Sequence, residues 1–233
     1  MKDTMQGSIS HNSLYFRRFL NWFFISFAGG RNRPPIMQTR DVFPQGLAFE
    51  RRFDEVQREI DLLLQKRKLT RYQDIDPARA AEVSQDWRLY YAYFLWKENE
   101  SARADLPVTL EIVKNIPHAI NVTVAVLEPG VELAAHEGPY AGVLRYHLGI
   151  RVPKENPPSI RVLDQHYTWK AGESIVIDDV YNHEVFNKSD DVRVILMVDF
   201  MRPMNPVAHV VNRLCLRMKN KWGRHMIEKA MAQ

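Results

Sequence analysis

Four side chains in the second half of the chain have the chemistry to hold a metal ion or an anion. His136 opens the run His136-Glu137-Gly138-Pro139, where a strand gives way to a loop. His183 follows Asp178-Asp179-Val180-Tyr181-Asn182, a turn into another strand. Neutral imidazole suits iron, copper, nickel or zinc. Arg145 stands in Arg145-Tyr146-His147, and Arg193 starts the apolar run that ends at Asp199. A guanidinium inside an apolar β barrel is costly unless an anion meets it, and its planar fork suits a carboxylate. Strand alternation puts Arg145 and His147 on one face, and likewise groups Arg193, Ile195, Met197 and Asp199. Two histidines so far apart in sequence meet only if the fold brings their strands together. The residues alone leave a metal pair and two satisfied structural histidines equally open. His118, His166 and His209 read as structural or surface histidines.

These side chains need a scaffold, and the texture of the chain supplies one from about residue 118 onward. Short β-rich runs cover 120–127, 131–135, 143–150, 159–163, 166–169, 174–178, 183–186 and 192–200. Turn signals separate most of them, among them Glu128-Pro129-Gly130, Asn156-Pro157-Pro158, Ala171-Gly172 and Asn187-Lys188-Ser189-Asp190. Eight short strands so closely spaced predict a sandwich or jelly roll with Greek-key connections. Upstream, Phe49, Phe53, Val56, Ile60 and Leu63 make one helical stripe, with Glu50, Arg51, Arg52, Glu55, Arg58 and Glu59 mainly away from it. Asp76-Pro77-Ala78 reads as a helix start, Trp87 to Trp96 as a strand, and 108–115 as a short helix closed by Pro117. Residues 31–46, with Pro34, Pro35, Pro44 and Gly46, read as an extended connector.

Composition narrows the function classes. The chain has 233 residues, 45% hydrophobic and 26% charged, ordinary for a globular protein. Its single cysteine, Cys215, excludes an internal disulfide and a Cys-rich zinc site. A reducing compartment follows as the default, so the cytoplasm or the inner face of a membrane is expected. A net charge of +4 is too small to imply nucleic acid. There is no Gly-rich phosphate loop and no nucleophile elbow. Near the start, the apolar run 19–28 is about half the length that spans a bilayer, and it lacks a secretory cleavage pattern. It reads first as a helix packed on the main domain. Its flanking Arg17, Arg18, Arg31 and Arg33 also suit a membrane interface. After Pro206, Val207, Val211, Leu214, Met218 and Trp222 recur at helical spacing. Arg213, Arg217, Lys219, Lys221, Arg224 and Lys229 occupy the other faces of this basic amphipathic helix. Peripheral membrane contact through 14–28 and 207–229 is one expectation, and a capping helix with a solvated face is the plainer one. The expected division is a segment 1–46, a main domain 47–205 with its core at 118–203, and a helix 206–233.

Several runs together are specific. They are Leu127-Glu128-Pro129-Gly130, His136-Glu137-Gly138-Pro139, Leu144-Arg145-Tyr146-His147-Leu148-Gly149, Trp169-Lys170-Ala171-Gly172-Glu173, Asp178-Asp179 with His183-Glu184-Val185, and Arg193-Val194-Ile195 with Val198-Asp199. In order and spacing, residues 118–203 resemble the aspartyl/asparaginyl β-hydroxylase family of Fe(II)/2-oxoglutarate dioxygenases. The stretches 138–142 and 144–149 look most like the lipid A acyl-chain hydroxylases, as does the connector from Arg33-Pro34-Pro35 to Pro44. The resemblance implies a mainly β fold with flanking helices, a double-stranded β-helix or cupin-like jelly roll. It implies that His136 and His183 bind iron, that Arg193 pairs with the distal carboxylate of 2-oxoglutarate, and that Arg145 and His147 are cosubstrate-binding positions. It also implies O2 as cosubstrate, and succinate and CO2 as co-products of C–H hydroxylation.

The resemblance has two departures. A 2-His-1-carboxylate triad would place Asp or Glu at position 138, and this chain has Gly138. Animal-type members carry glycine there, and lipid A hydroxylases generally carry Asp. Glu137 stands one residue too early and is the other carboxylate that a rearranged loop would offer as a ligand. Ala125 replaces a serine that helps hold 2-oxoglutarate in animal-type members. The expected function is therefore hydroxylation beside a carbonyl, at an Asp or Asn β-carbon of a peptide or amino acid, or at the α-carbon of a lipid acyl chain. A two-histidine halogenase and an inert jelly-roll binding protein are the alternatives. Gly138→Asp would be expected to add a third iron ligand.

Overall fold

The computed structural model describes residues 3–75, 87–222, 228 and 231. A long helix, α1 (Asp3–Phe27), leads through a turn to β1 (Ile36–Gln38) and α2 (Thr39–Val42). Then come α3 (Leu47–Arg51), α4 (Phe53–Lys66), β2 (Thr70–Arg71) and α5 (Tyr72–Ile75). The expected helix start at Asp76-Pro77-Ala78 lies outside the described residues. Next are β3 (Trp87–Phe94), β4 (Lys97–Glu98), α6 (Ala102–Asp105) and α7 (Pro107–Lys114). The β-rich half follows as β5 (Ala119–Leu127), β6 (Glu132–His136), β7 (Val143–Arg151), β8 (Ser159–Val162), β9 (Gln165–Thr168), β10 (Ser174–Ile177), β11 (His183–Phe186) and β12 (Arg193–Met201). Helix α8 (Pro206–Trp222) comes last. All eight β runs read from the sequence are strands, within a residue or two at their ends.

The strands form two antiparallel sheets. The larger has the order β1-β10-β7-β12-β5-β3-β2, with β4 on β3, and the smaller has β6-β11-β8-β9. From β5 to β12 the chain crosses repeatedly between the sheets, with β8 and β9 paired as neighbours in the smaller one, which is the jelly-roll pattern. Strand β12 shows why the sandwich closes. All nine of its residues are buried. Its odd positions Ile195 and Met197 join Leu89, Ala125 and Ile175 of the large sheet and Leu133, Ile160 and Val185 of the small sheet in one core between them. Its even positions Val194, Leu196, Val198 and Phe200 face a second core under α4 and α7, with Val56, Ile60, Leu63 and Leu110. The fold is mainly β with flanking helices, a jelly roll.

Three flanking segments differ from the sequence reading. The connector 31–46 is built into the sheet, because Ile36 pairs with Ile177 and Gln38 with Ile175. Glu59 is buried rather than solvated. Its carboxylate accepts the backbone N–H groups of Val108 and Thr109 at 2.8 Å and so satisfies the exposed amides at the start of α7. Burial raises its pKa and these bonds oppose the rise. Helix α8 docks by a different face from the one its apolar spacing indicates. Ala208, Asn212 and Leu216 are buried, while Val207, Leu214 and Met218 are exposed. The physical reason is polar: Asn212 donates from Nδ2 to the Gly142 carbonyl at 2.6 Å and accepts the Tyr140 hydroxyl at 2.7 Å. Helix α1 is fixed alike, with Asn21 Oδ1 accepting the Ala141 N–H at 2.9 Å and Nδ2 donating to Pro139 O at 3.3 Å. Two asparagines thus clamp the loop that follows His136. Among the described residues no helix is long and apolar enough to cross a membrane.

Candidate active site

His136 ends β6 and His183 begins β11, and the two are register partners in the small sheet. Their ring centroids are 4.2 Å apart. His136 Nδ1 lies 2.7 Å from the Ala134 carbonyl and His183 Nδ1 lies 2.8 Å from the Tyr181 carbonyl. A carbonyl only accepts, so each Nδ1 carries the proton and in the neutral ring each Nε2 carries the lone pair. This backbone-fixed tautomer is the usual outer-shell arrangement of a metal-binding histidine. Two imidazoles so placed can hold one ion between them.

The turn leading to His183 is held by buried ionic contacts. Asp178 is fully buried and receives Arg33 Nε at 2.8 Å and Arg202 Nη2 at 2.6 Å. Tyr181 donates its hydroxyl to the Arg33 carbonyl at 3.0 Å, and the Arg33 guanidinium lies 4.6 Å from the Tyr181 ring centre. The connector residue Arg33 therefore ties the His183 turn to the strand end at Arg202.

Asp179 enters the site from this turn. Its Oδ2 is 3.4 Å from Arg145 Nη1, and its Oδ1 is buried without a hydrogen-bond partner. Burial raises its pKa to about 6, Arg145 opposing the rise and the Asp199 and Asp178 carboxylates adding to it. Gly138 explains itself here. A Cβ at 138 would lie 2.6 Å from Asp179 Cγ and 2.8 Å from its carbonyl oxygen. The carboxyl expected at position 138 is thus replaced in space by one from a different strand connection. Glu137 is exposed on the loop. No group of three His, Cys, Asp or Glu side chains gathers into a metal cage among the described residues.

The two arginines have separate fates. Arg145 makes a fork with Asp199, Nε to Oδ1 at 2.6 Å and Nη2 to Oδ2 at 3.2 Å. Burial works against its charge, but Asp199 and Asp179 outweigh it and raise its pKa. Its charge is therefore met by the protein's own carboxylates. Arg193 is 2% exposed and no carboxylate pairs with it among the described residues. Its guanidinium lies 4.7 Å from the Trp169 ring centre, and burial lowers its pKa to about 9.

Around Arg193 stands a group of buried polar atoms with no hydrogen-bond partner: the donors Arg193 Nε, Trp169 Nε1 and Trp87 Nε1, and both ring nitrogens of His147, of which one donates and one accepts when the ring is neutral. Trp87 and Arg193 flank Leu127 on neighbouring strands, and the His147 and Trp169 rings are 5.8 Å apart. Burial, then the charges of Arg145 and Arg193, hold the His147 pKa well below its ordinary range, so it is neutral. Buried polar groups are nearly always satisfied, and such a concentration of unmet donors calls for an acceptor-rich anion. A dicarboxylate with a ketone fits that description. Sequence reading named Arg193 and His147 as site residues and quoted Trp169, Asp179 and Asp199 without giving them a role. The last two had a signal, acidic residues inside apolar runs beside basic ones.

A pocket of about 170 Å³ opens over the histidines, lined by His136, His183, Arg145, Asp179, Tyr91 and Tyr140. Beside it an apolar groove of about 410 Å³ runs between α1 and α8, lined by Phe16, Leu20, Cys215 and Met218. Phe94, Leu95, Pro139 and Tyr140 line both.

Comparison with known proteins places this arrangement among relatives. The family described as Aspartyl/Asparaginyl beta-hydroxylase matches residues 50–203. A Rhizobium tropici protein named ornithine lipid ester-linked acyl 2-hydroxylase is 34% identical over 182 residues, covering 77% of this chain and 64% of that protein. The human protein named aspartyl/asparaginyl beta-hydroxylase is 29% identical over 123 residues, 51% of this chain and 16% of that one. The chain thus spans less than two thirds of the length of either. Among solved structures, the Cupin_2 domain of an XRE family transcriptional regulator from Enterobacter cloacae aligns with 51% of this chain and 100% of its own, at 13% identity and a TM-score of 0.35.

Proposed function

This chain belongs to the aspartyl/asparaginyl β-hydroxylase family, and we propose that it is an Fe(II)/2-oxoglutarate-dependent dioxygenase hydroxylating the carbon beside the carbonyl of a lipid acyl chain. The observation that carries the substrate choice is the apolar groove of about 410 Å³ that shares a wall with the histidine pocket. A peptide or a free amino acid would leave that groove unused. The acyl hydroxylase named above, similar over most of this chain, supports the same choice. Gly138 does not favour the amino-acid reading, because Asp179 already accounts for it.

When bound, iron and 2-oxoglutarate supply the oxidising chemistry, in which O2 and 2-oxoglutarate yield succinate and CO2 while one oxygen atom enters a C–H bond. The chain's residues bind, orient and exclude water. His136 and His183 would hold the metal through Nε2, with Nδ1 donated to Ala134 and Tyr181. Arg193 would pair with the distal carboxylate of 2-oxoglutarate, a charge-assisted contact in a dry setting. Trp169 Nε1 and neutral His147 are unmet donors beside it. Asp179, near half-protonation at pH 6, can hold a proton or accept one at Oδ1 in the pocket that it lines together with the histidine pair. Arg145 keeps Asp179 and Asp199 in place. The acyl chain would lie against Leu95 and Tyr140 with its carbonyl end toward His136.

A carboxyl at Asp179 is a poor neighbour for chloride, which weighs against the halogenase. An inert barrel would have no use for the buried charge of Arg193. The test is 2-oxoglutarate turnover with Fe(II) on an acyl-lipid extract, with mass spectrometry of the lipids. Gain of one oxygen on an acyl chain, with matching succinate, is expected. A chlorinated product, oxygen added only to a peptide, or no succinate from any substrate would overturn the reading.

A further inference from the structure

The groove lies between two helices whose outer faces are apolar and basic. On α1, Tyr15, Phe16, Phe19 and Trp22 are each more than half exposed. Tyr15, Phe19 and Trp22 follow one helical stripe, and the Phe19 and Trp22 rings are 5.9 Å apart. On α8, Val207, Val210 and Leu214 are also more than half exposed. Exposed large apolar side chains gathered on adjoining helices mark an interaction surface. The asparagine that anchors each helix to the body of the protein lies on a different side from them.

The charge on these helices selects the partner. Apart from Asp3 at the far end of α1, the two helices contain no carboxylate, and they carry Arg17, Arg18, Arg213, Arg217, Lys219 and Lys221. Elsewhere acidic and basic residues are mixed, as the total net charge of only +4 requires. Aromatic and aliphatic side chains on helices whose charges are mainly cations match the interface of an anionic lipid bilayer. A second copy of the chain would bring six like charges against six.

We propose that α1 and α8 together dock on the surface of an anionic bilayer, with the groove between them opening toward the lipid and leading to the histidine pocket. For its purpose this rests on the acyl-chain reading. Its measurement needs no turnover, so either can fail without the other.

The full-length protein is tested by sedimentation with vesicles of phosphatidylcholine containing 30% phosphatidylglycerol, and with phosphatidylcholine alone. Binding is expected to the first at low salt, at least tenfold weaker to the second, and weaker as salt rises. Phe19→Ser with Trp22→Ser, and separately Val210→Ser with Leu214→Ser, should each weaken binding about tenfold. These side chains are exposed, so thermal midpoints should stay near wild type. Arg213→Gln with Arg217→Gln should weaken binding to anionic vesicles and leave the weak binding to neutral ones unchanged. Absence of binding to anionic vesicles at low salt would overturn the proposal. So would wild-type binding in both serine variants, or a wild-type dimer in sedimentation velocity that those variants dissociate.

Discussion

Arg193→Met is expected to stabilise the ligand-free protein and to abolish its response to 2-oxoglutarate. Arg193 is 2% exposed, pairs with no carboxylate among the described residues, and has its pKa lowered by burial to about 9. A fall of roughly three decades or more from the ordinary arginine range corresponds to about 4–5 kcal/mol held against the charged folded state. The stacked contact with Trp169, 4.7 Å from ring centre to guanidinium, returns about 1–2 kcal/mol of that, and it is lost in the variant. Methionine fills much of the same volume, so the net gain is about 3 kcal/mol, or roughly 6–12 °C for a chain of this size. The pH dependence has a fixed sign. A cation with a lowered folded-state pKa leaves the unfolded chain binding more protons above that pKa, so stability rises with pH there. The deficit of wild type against the variant should therefore be full at pH 7 and should shrink as pH rises through about 9. The assay is thermal unfolding with Mn(II) in place of iron, with and without 2-oxoglutarate. At about one hundred times its dissociation constant the cosubstrate should add about 2.7 kcal/mol to wild type and nothing to the variant. A variant less stable than wild type, or an equal 2-oxoglutarate shift in both, would refute the reasoning that Arg193 is a stored charge awaiting an anion.

His136→Ala and His183→Ala should each lose stoichiometric iron in metal analysis and lose turnover, whereas Glu137→Ala should hold iron within about twofold of wild type. Gly138→Asp should cost about 1–3 kcal/mol by crowding, since its Cβ would sit 2.6 Å from Asp179 Cγ. It should gain no iron affinity by calorimetry unless Asp179→Ala clears the space, and a gain in the single variant would show that Asp179 moves freely. Asp178→Asn leaves Arg33 and Arg202 without their shared buried carboxylate and should cost about 3–5 kcal/mol in urea unfolding. A loss below about 1 kcal/mol would mean that the His183 turn is held by something else.

The strands were legible in the sequence because alternation and turn residues are local signals. β12 reads as an apolar strand carrying Arg193 and Asp199 on one face, and that is how it lies. His136, His183 and Arg193 stand out because imidazoles and a cation inside apolar runs need a reason. What they meet depends on strands distant in sequence. The pairing of His136 with His183 is a matter of register between β6 and β11, which no local pattern specifies. Arg145 and Arg193 look alike as residues, yet Asp199 and Asp179 neutralise one while no carboxylate among the described residues pairs with the other, because β7 and β12 are adjacent and the Asp179 turn brings its carboxylate to Arg145. Gly138 reads as a missing ligand until Asp179 is seen in the space its side chain would fill. The apolar spacing of α8 reads as a buried face, but helix docking is decided by whichever side finds partners. Asn212 finds Gly142 and Tyr140, so the apolar stripe turns outward. Sequence thus determined which residues are chemically conspicuous and which elements carry them. Tertiary structure alone decided which charges are already satisfied, because satisfaction depends on neighbours that the chain brings together only by folding.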